Sequence, residues 1–178
     1  MVINGRAMLD YAGNGATSET KDLGDTGDWG WGNGNNGTVV RRPNQTPYRS
    51  ASVRIEIITD GASNTLLVGE KCMSIDRLGH AQPDDDQGYT AGYDRDEIRW
   101  AVDAPAPDYN GAAAAFPEYD HRFGSRHPGG FNGVFCDGSV RFIPYTIQSN
   151  FDLANVNNMG VWQRLCMRDD GLPVTLDF

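Results

Sequence analysis

His127-Pro128-Gly129-Gly130-Phe131-Asn132-Gly133-Val134-Phe135-Cys136-Asp137-Gly138-Ser139-Val140-Arg141-Phe142-Ile143 carries the reading on which the fold turns. Two apolar runs, Gly133 to Cys136 and Ser139 to Ile143, flank Asp137-Gly138. Asp-Gly fits a type I′ turn, so the stretch predicts an antiparallel hairpin. Upstream, Thr65-Leu66-Leu67-Val68-Gly69-Glu70 reads as a buried strand, entered through the turn or cap Thr59-Asp60-Gly61-Ala62-Ser63-Asn64. Before it, Ser52 to Ile58 fits either a short helix capped by Ser50 or Ser52, or a strand by its alternation. Glu97-Ile98-Arg99-Trp100-Ala101-Val102 reads as a further strand. Downstream, Gly160 to Cys166 predicts a short helix with Trp162, Leu165 and Cys166 on one face, followed by a turn at Asp170-Gly171.

The chain has 178 residues, enough for one domain with a single core. Glycine is abundant, at 22 residues, which favours many tight turns over a helical bundle. The expected fold is therefore mainly β (α+β), a mostly antiparallel sheet with short helices and long Gly/Asn-rich loops. Residues 1–50 are expected as a loop region rich in Gly, Asn and Trp, and residues 51–178 as the β-rich core of the same domain. Gly27-Asp28-Trp29-Gly30-Trp31-Gly32-Asn33-Gly34 is the extreme of the loop composition. Trp29 and Trp31 there, with Tyr89 and Tyr93, are candidate stacking platforms for a glycan. The competing reading is that the two tryptophans pin the loop to the body.

The formal charge of −9 argues against a nucleic-acid partner, because phosphate binding needs clustered Lys and Arg. Cys72, Cys136 and Cys166 contain no Cys-x-x-Cys pair and so no zinc-ligand spacing. They are compatible with one disulfide and a leftover thiol. No apolar stretch reaches the length of a membrane span, and no export signal opens the chain.

His127 and Asp137 are the sharpest candidate pair for chemistry, since an imidazole beside a carboxylate can act as a base or bind a metal. Ser125 would complete a hydrolase constellation on paper, although no Gly-x-Ser-x-Gly elbow is present. The structural alternative makes Asp137 and Gly138 the hairpin turn and His127 a local clamp. Asp84, Asp85, Asp86, Asp94 and Asp96 crowd one turn-rich stretch. They suit calcium, a hard cation bound by loop oxygens, or a solvated acidic loop.

Taken together, Tyr11-Ala12-Gly13-Asn14, Ile58 to Lys71, Gly88 to Asp94, the His127 to Ile143 stretch and Arg164 to Gly171 resemble a prepilin-like family expanded in planctomycetes, domain of unknown function 1559. The His-x9-Asp-Gly signature is matched by His127, Asp137 and Gly138. The resemblance implies a pilin-like or pseudopilin-like head, displayed at the cell surface or working in secretion, and non-catalytic. Family members begin with a prepilin leader and a long apolar helix. Met1-Val2-Ile3-Asn4 shows neither, so the chain is expected to be a C-terminal portion that reaches a membrane only through that helix. A sheet face left bare by the helix would self-associate or bind other pilin-like subunits. Two alternatives are a hydrolase of an ester, lactone or glycoside, using His127 with an Asp or a bound metal, and a glycan-binding module using Trp29 and Trp31.

Overall fold

The computed structural model describes residues 2–3, 6–7, 9–17, 36–40, 53–82, 85–86, 88–90, 95–111, 121–152, 154–172 and 174. The hairpin is formed by β8 (Gly130–Phe135) and β9 (Val140–Pro144), paired antiparallel with Val134 opposite Val140. Its turn differs from the expected type I′. Such a turn needs positive φ at both central residues, and among the described residues the only non-glycine at positive φ is Ala16. Gly138 alone is left-handed, at φ 84°. Its N–H donates to Phe135 O at 2.9 Å, and Phe135 N–H donates to Ser139 O at 2.8 Å. This is a three-residue connection in which a left-handed glycine follows the turn. The Asp137 carboxylate locks it by accepting the Ser139 N–H at 2.9 Å and the Ser139 hydroxyl at 2.7 Å.

Seven further strands precede the hairpin: β1 (Val2–Ile3), β2 (Arg6–Ala7), β3 (Tyr11–Asn14), β4 (Leu66–Glu70), β5 (Ile98–Arg99), β6 (Ala106–Pro107) and β7 (Gly124–Ser125). The main sheet runs β5-β3-β4-β8-β9. Its ladders are antiparallel except β3 with β5, which is parallel, so the sheet is mixed. β1 with β2 and β6 with β7 form two small satellite pairs. The fold is mainly β, and α1 (Val161–Cys166) is the α-helix among the described residues. Of the stretch Ser52 to Ile58, residues Ile55–Ile57 make a single 3-10 turn.

Tyr11–Asn14 lies inside the stretch expected to be irregular and is a strand of the main sheet. Asn14 explains this. Its side chain is fully buried and its amide donates to Leu66 O at 2.8 Å and to Cys166 O at 2.7 Å. The turn-type residue is thus used as a bridge between β4 and the carbonyl end of α1, and its placement depends on both.

Alternation assigns the two sheet faces. Leu66, Phe131, Phe135 and Ile143 point to the core, where Phe123 and the Trp162, Leu165 and Cys166 face of α1 cover them. Trp162 stands nearly perpendicular to Phe123 and Phe131, with ring centroids 5.5 and 5.8 Å away. The rings come this close because β4 offers Gly69, where a Cβ would sit 2.7 Å from the Phe123 ring. The opposite, outer face carries Tyr11, Val68, Glu70, Asn132, Val134, Val140 and Phe142.

Candidate functional site

Glu70 ends β4 on the outer face, and the register that sets Gly69 against Gly133 brings it beside Asn132. Its Oε2 accepts the Asn132 backbone N–H at 2.6 Å and the Asn132 side-chain amide at 3.3 Å. Its Oε1 lies 3.2 Å from His127 Nε2. Glu70 is largely buried, whereas the His127 side chain is 53% exposed. The imidazole is carried to this position by a tight loop. Ser125 Oγ accepts the His127 N–H at 3.0 Å and donates to Gly130 O at 3.0 Å, and Gly129 turns at φ 83°.

The structure separates the residues that a triad would need. His127 and Asp137 flank opposite ends of the six-residue β8, about 20 Å of extended chain. His127 has Glu70 as its carboxylate, and Asp137 has Ser139 and, at 3.7 Å, Arg141. Ser125 Oγ meets the His127 backbone, not its ring, and sits 3.2 Å from Tyr145 OH. That phenol also accepts the Ser125 N–H and donates to Ser125 O. Ser125 is a loop fastener. The thiols offer no alternative nucleophile: burial pushes Cys72 up to about 12 and Cys136 up to about 11, and the buried Cys166 is raised as well.

Asp108 lies within electrostatic reach of Glu70. Burial raises the Asp108 carboxyl even though it accepts the Met73 N–H at 3.0 Å, with Glu70 and Asp10 adding to the effect and Arg126 opposing it. The arrangement can hold an imidazole against a carboxylate at a half-open surface. It places no second protein acceptor or nucleophile on that ring among the described contacts.

The acidic stretch is partly in view. Asp85 is buried with its Oδ1 2.7 Å from Lys71 Nζ, which also donates to Asp96 O at 3.0 Å. Desolvation lowers the Lys71 pKa, and Asp85 opposes that shift. Asp96 Oδ2 accepts the Gly88 N–H at 2.6 Å. Asp86 is exposed; Asp84 and Asp94 lie outside the described residues. Among the described residues, no three His, Cys, Asp or Glu side chains are grouped to hold a metal ion. Of the candidate stacking residues, Tyr89 is exposed, and Trp29, Trp31 and Tyr93 lie outside the described residues. His121 forms a second imidazole-carboxylate pair, with Nε2 2.7 Å from Asp103. It lowers the Asp103 pKa chiefly through that hydrogen bond.

Glu70 is the site residue that the sequence reading passed over. The available signal was a lone carboxylate closing an otherwise apolar run, Leu66 to Gly69, because a charge at the end of a buried strand needs partners. Replacing Glu70 by Ala should lower the unfolding free energy by about 1–3 kcal/mol, since the Asn132 N–H loses its acceptor. Replacing the exposed His127 by Ala should cost within about 0.5 kcal/mol. Urea unfolding of both variants checks the pair; equal losses would contradict the asymmetry.

The fold and site define a mainly β architecture with a mixed five-stranded sheet, a short helix behind it and a carboxylate-anchored loop at one strand end. From residue 6 to residue 150 the sequence matches the family described as protein of unknown function (DUF1559), and the chain belongs to that family. No curated protein and no solved structure matches it.

Proposed function

We propose that the chain is a non-catalytic, extracytoplasmic surface or secretion-associated module of pilin-like type, which joins other subunits of its kind through the outer sheet face. The observation that carries this reading is the exposed apolar strip on that face, Val68, Val134, Val140 and Phe142, with Tyr11 at its far side beyond Glu70 and Asn132. Tyr11, Val140 and Phe142 are 55%, 65% and 44% exposed there, beside half-buried Val68 and Val134. Contiguous apolar surface on a sheet is costly in water and favours association. The polar groups nearby point the same way, because Glu70, Ser125 and Asp137 are engaged in holding backbone.

Sedimentation velocity over a concentration series tests it. The unaltered chain should associate, and Val140→Thr with Phe142→Ser should weaken association about tenfold or more, since each substitution removes roughly 1 kcal/mol of apolar burial. A monomer at every concentration sinks the reading. The half-exposed His127 against Glu70 favours one second reading, a hydrolase of an ester, lactone or glycoside. Turnover on a panel of such substrates that disappears in His127→Ala would establish it.

A further inference from the structure

Two Asp-Gly steps lie 110 positions apart and meet in the fold: Asp60-Gly61 in the turn before β4, and Asp170-Gly171 after α1. Asp60 is buried. Its Oδ2 accepts the Asp170 N–H at 2.8 Å and its Oδ1 accepts the Gly171 N–H at 3.0 Å. The Asp60 N–H donates in return to Arg168 O at 3.3 Å. One carboxylate therefore anchors a strap, residues 168–172, to the turn. The strap brings a second carboxyl to the same place. Asp170 Oδ1 accepts the Leu172 N–H at 2.7 Å, while Asp170 Oδ2 is buried with no hydrogen-bond partner.

Two ionised carboxylates in contact repel, and a buried acceptor without a donor is expensive. A single proton relieves both problems, because a protonated Asp170 can donate to Asp60. The geometry points to a proton-operated latch: with the Asp170 carboxyl protonated the strap is closed on the turn, and losing that proton loosens it.

The charge environment fits. Burial, and then the neighbouring Asp60, push Asp170 up to about 6, while the Leu172 N–H and Arg164 work in the opposite direction. Among the described charges, Arg164 on α1, which donates to Asn157 O, acts on Asp170, and Arg168 and Asp169 on the strap pair with each other at 3.3 Å. The native state thus binds the proton more tightly than the unfolded chain, whose aspartates titrate near ~4. The contribution to stability is complete below that value and is lost as pH rises through about 6. The strap also holds the Asn36-Gly37 segment, through Arg168 N–H to Asn36 O at 3.0 Å and Arg168 Nη1 to Gly37 O at 2.7 Å. Opening the latch loosens two distant parts of the chain together.

Amide exchange of the full chain, followed by NMR and corrected for intrinsic rates, tests the latch. Protection of the Asp170, Gly171 and Leu172 amides should fall about three- to fivefold between pH 5 and pH 7.5, since the full linkage effect over that range is about tenfold and partial exposure reduces it. Phe131 and Ile143 should keep theirs. Asp170→Asn, whose amide can donate to Asp60 at any pH, should hold the strap protected throughout. Equal wild-type protection at both pH values, or an Asn variant that follows the wild-type course, overturns the latch. Should that variant fold poorly, the carbon shift of the wild-type Asp170 carboxyl decides: titration near pH 6 supports the latch and titration near pH 4 overturns it.

Discussion

Replacing Trp162 by alanine will lower the unfolding free energy by about 3–5 kcal/mol. Trp162 is fully buried and stands nearly perpendicular to both Phe123 and Phe131. Such pairs contribute roughly 0.5–1.5 kcal/mol each beyond the area they bury. Its indole N–H donates to Asp103 O at 2.9 Å, so the truncation also strips a carbonyl of its donor. The surroundings resist collapse into the cavity, because Phe123 and Phe131 are fixed against the sheet where Gly69 receives the Phe123 ring. Domains of this size are stable by only about 5–15 kcal/mol, so the variant should sit at the edge of folding. Trp162→Phe should recover more than half of the loss, as most of the packing returns without the N–H. Urea unfolding checks both, and a loss below about 1 kcal/mol for the alanine variant would refute the packing account.

The second large effect is at Asn14, where alanine should cost about 2–5 kcal/mol through buried groups left unpaired. The side-chain amide joins Leu66 O to Cys166 O, and its Oδ1 accepts the Ala16 N–H at 2.8 Å. Leu66 O keeps a donor in Thr38 Oγ1 at 3.1 Å. Cys166 O, at the carbonyl end of α1, loses the donor described for it, and the Ala16 N–H loses its acceptor. That second loss falls on a non-glycine residue at φ 68°, a conformation that local hydrogen bonds must hold. Asn14→Asp separates donors from volume: it keeps the shape but sets a carboxylate against two carbonyl oxygens. It should destabilise at least as much as alanine at pH 7 in thermal unfolding; an Asp variant near wild type would show that the bridge contributes little.

These two residues mark the limits of sequence reading here. The Trp162, Leu165, Cys166 face was legible because helical periodicity is local, and a six-residue helix displays it. The hairpin was legible for the same reason, although its turn type was not. Asp-Gly suits a type I′ turn equally well, and the Asp137 contacts to Ser139 belong to the folded loop. Asn14, by contrast, sits in a Gly/Asn-rich stretch whose composition indicates a loop, and only its contacts with β4 and α1 make the stretch a strand. The candidate site divides in the same way. His127 was visible as one of three histidines. Its partner was expected to be Asp137, ten positions on, and is Glu70, 57 positions back.

By itself the sequence determined the local features: a chiefly β chain, its main hairpin, the apolar face of the helix near its end, and a net negative charge. These depend on side-chain period, turn chemistry and net charge, which act over a few residues or over the whole surface. Tertiary structure alone decided the order of strands, the parallel placement of β5, and the pairing of carboxylates with partners. Glu70 meets His127, Lys71 meets Asp85 and Asp60 meets Asp170 because strand register and the packing of α1 bring distant segments together. A carboxylate in a sequence shows that it will need a partner; only the folded backbone selects which one.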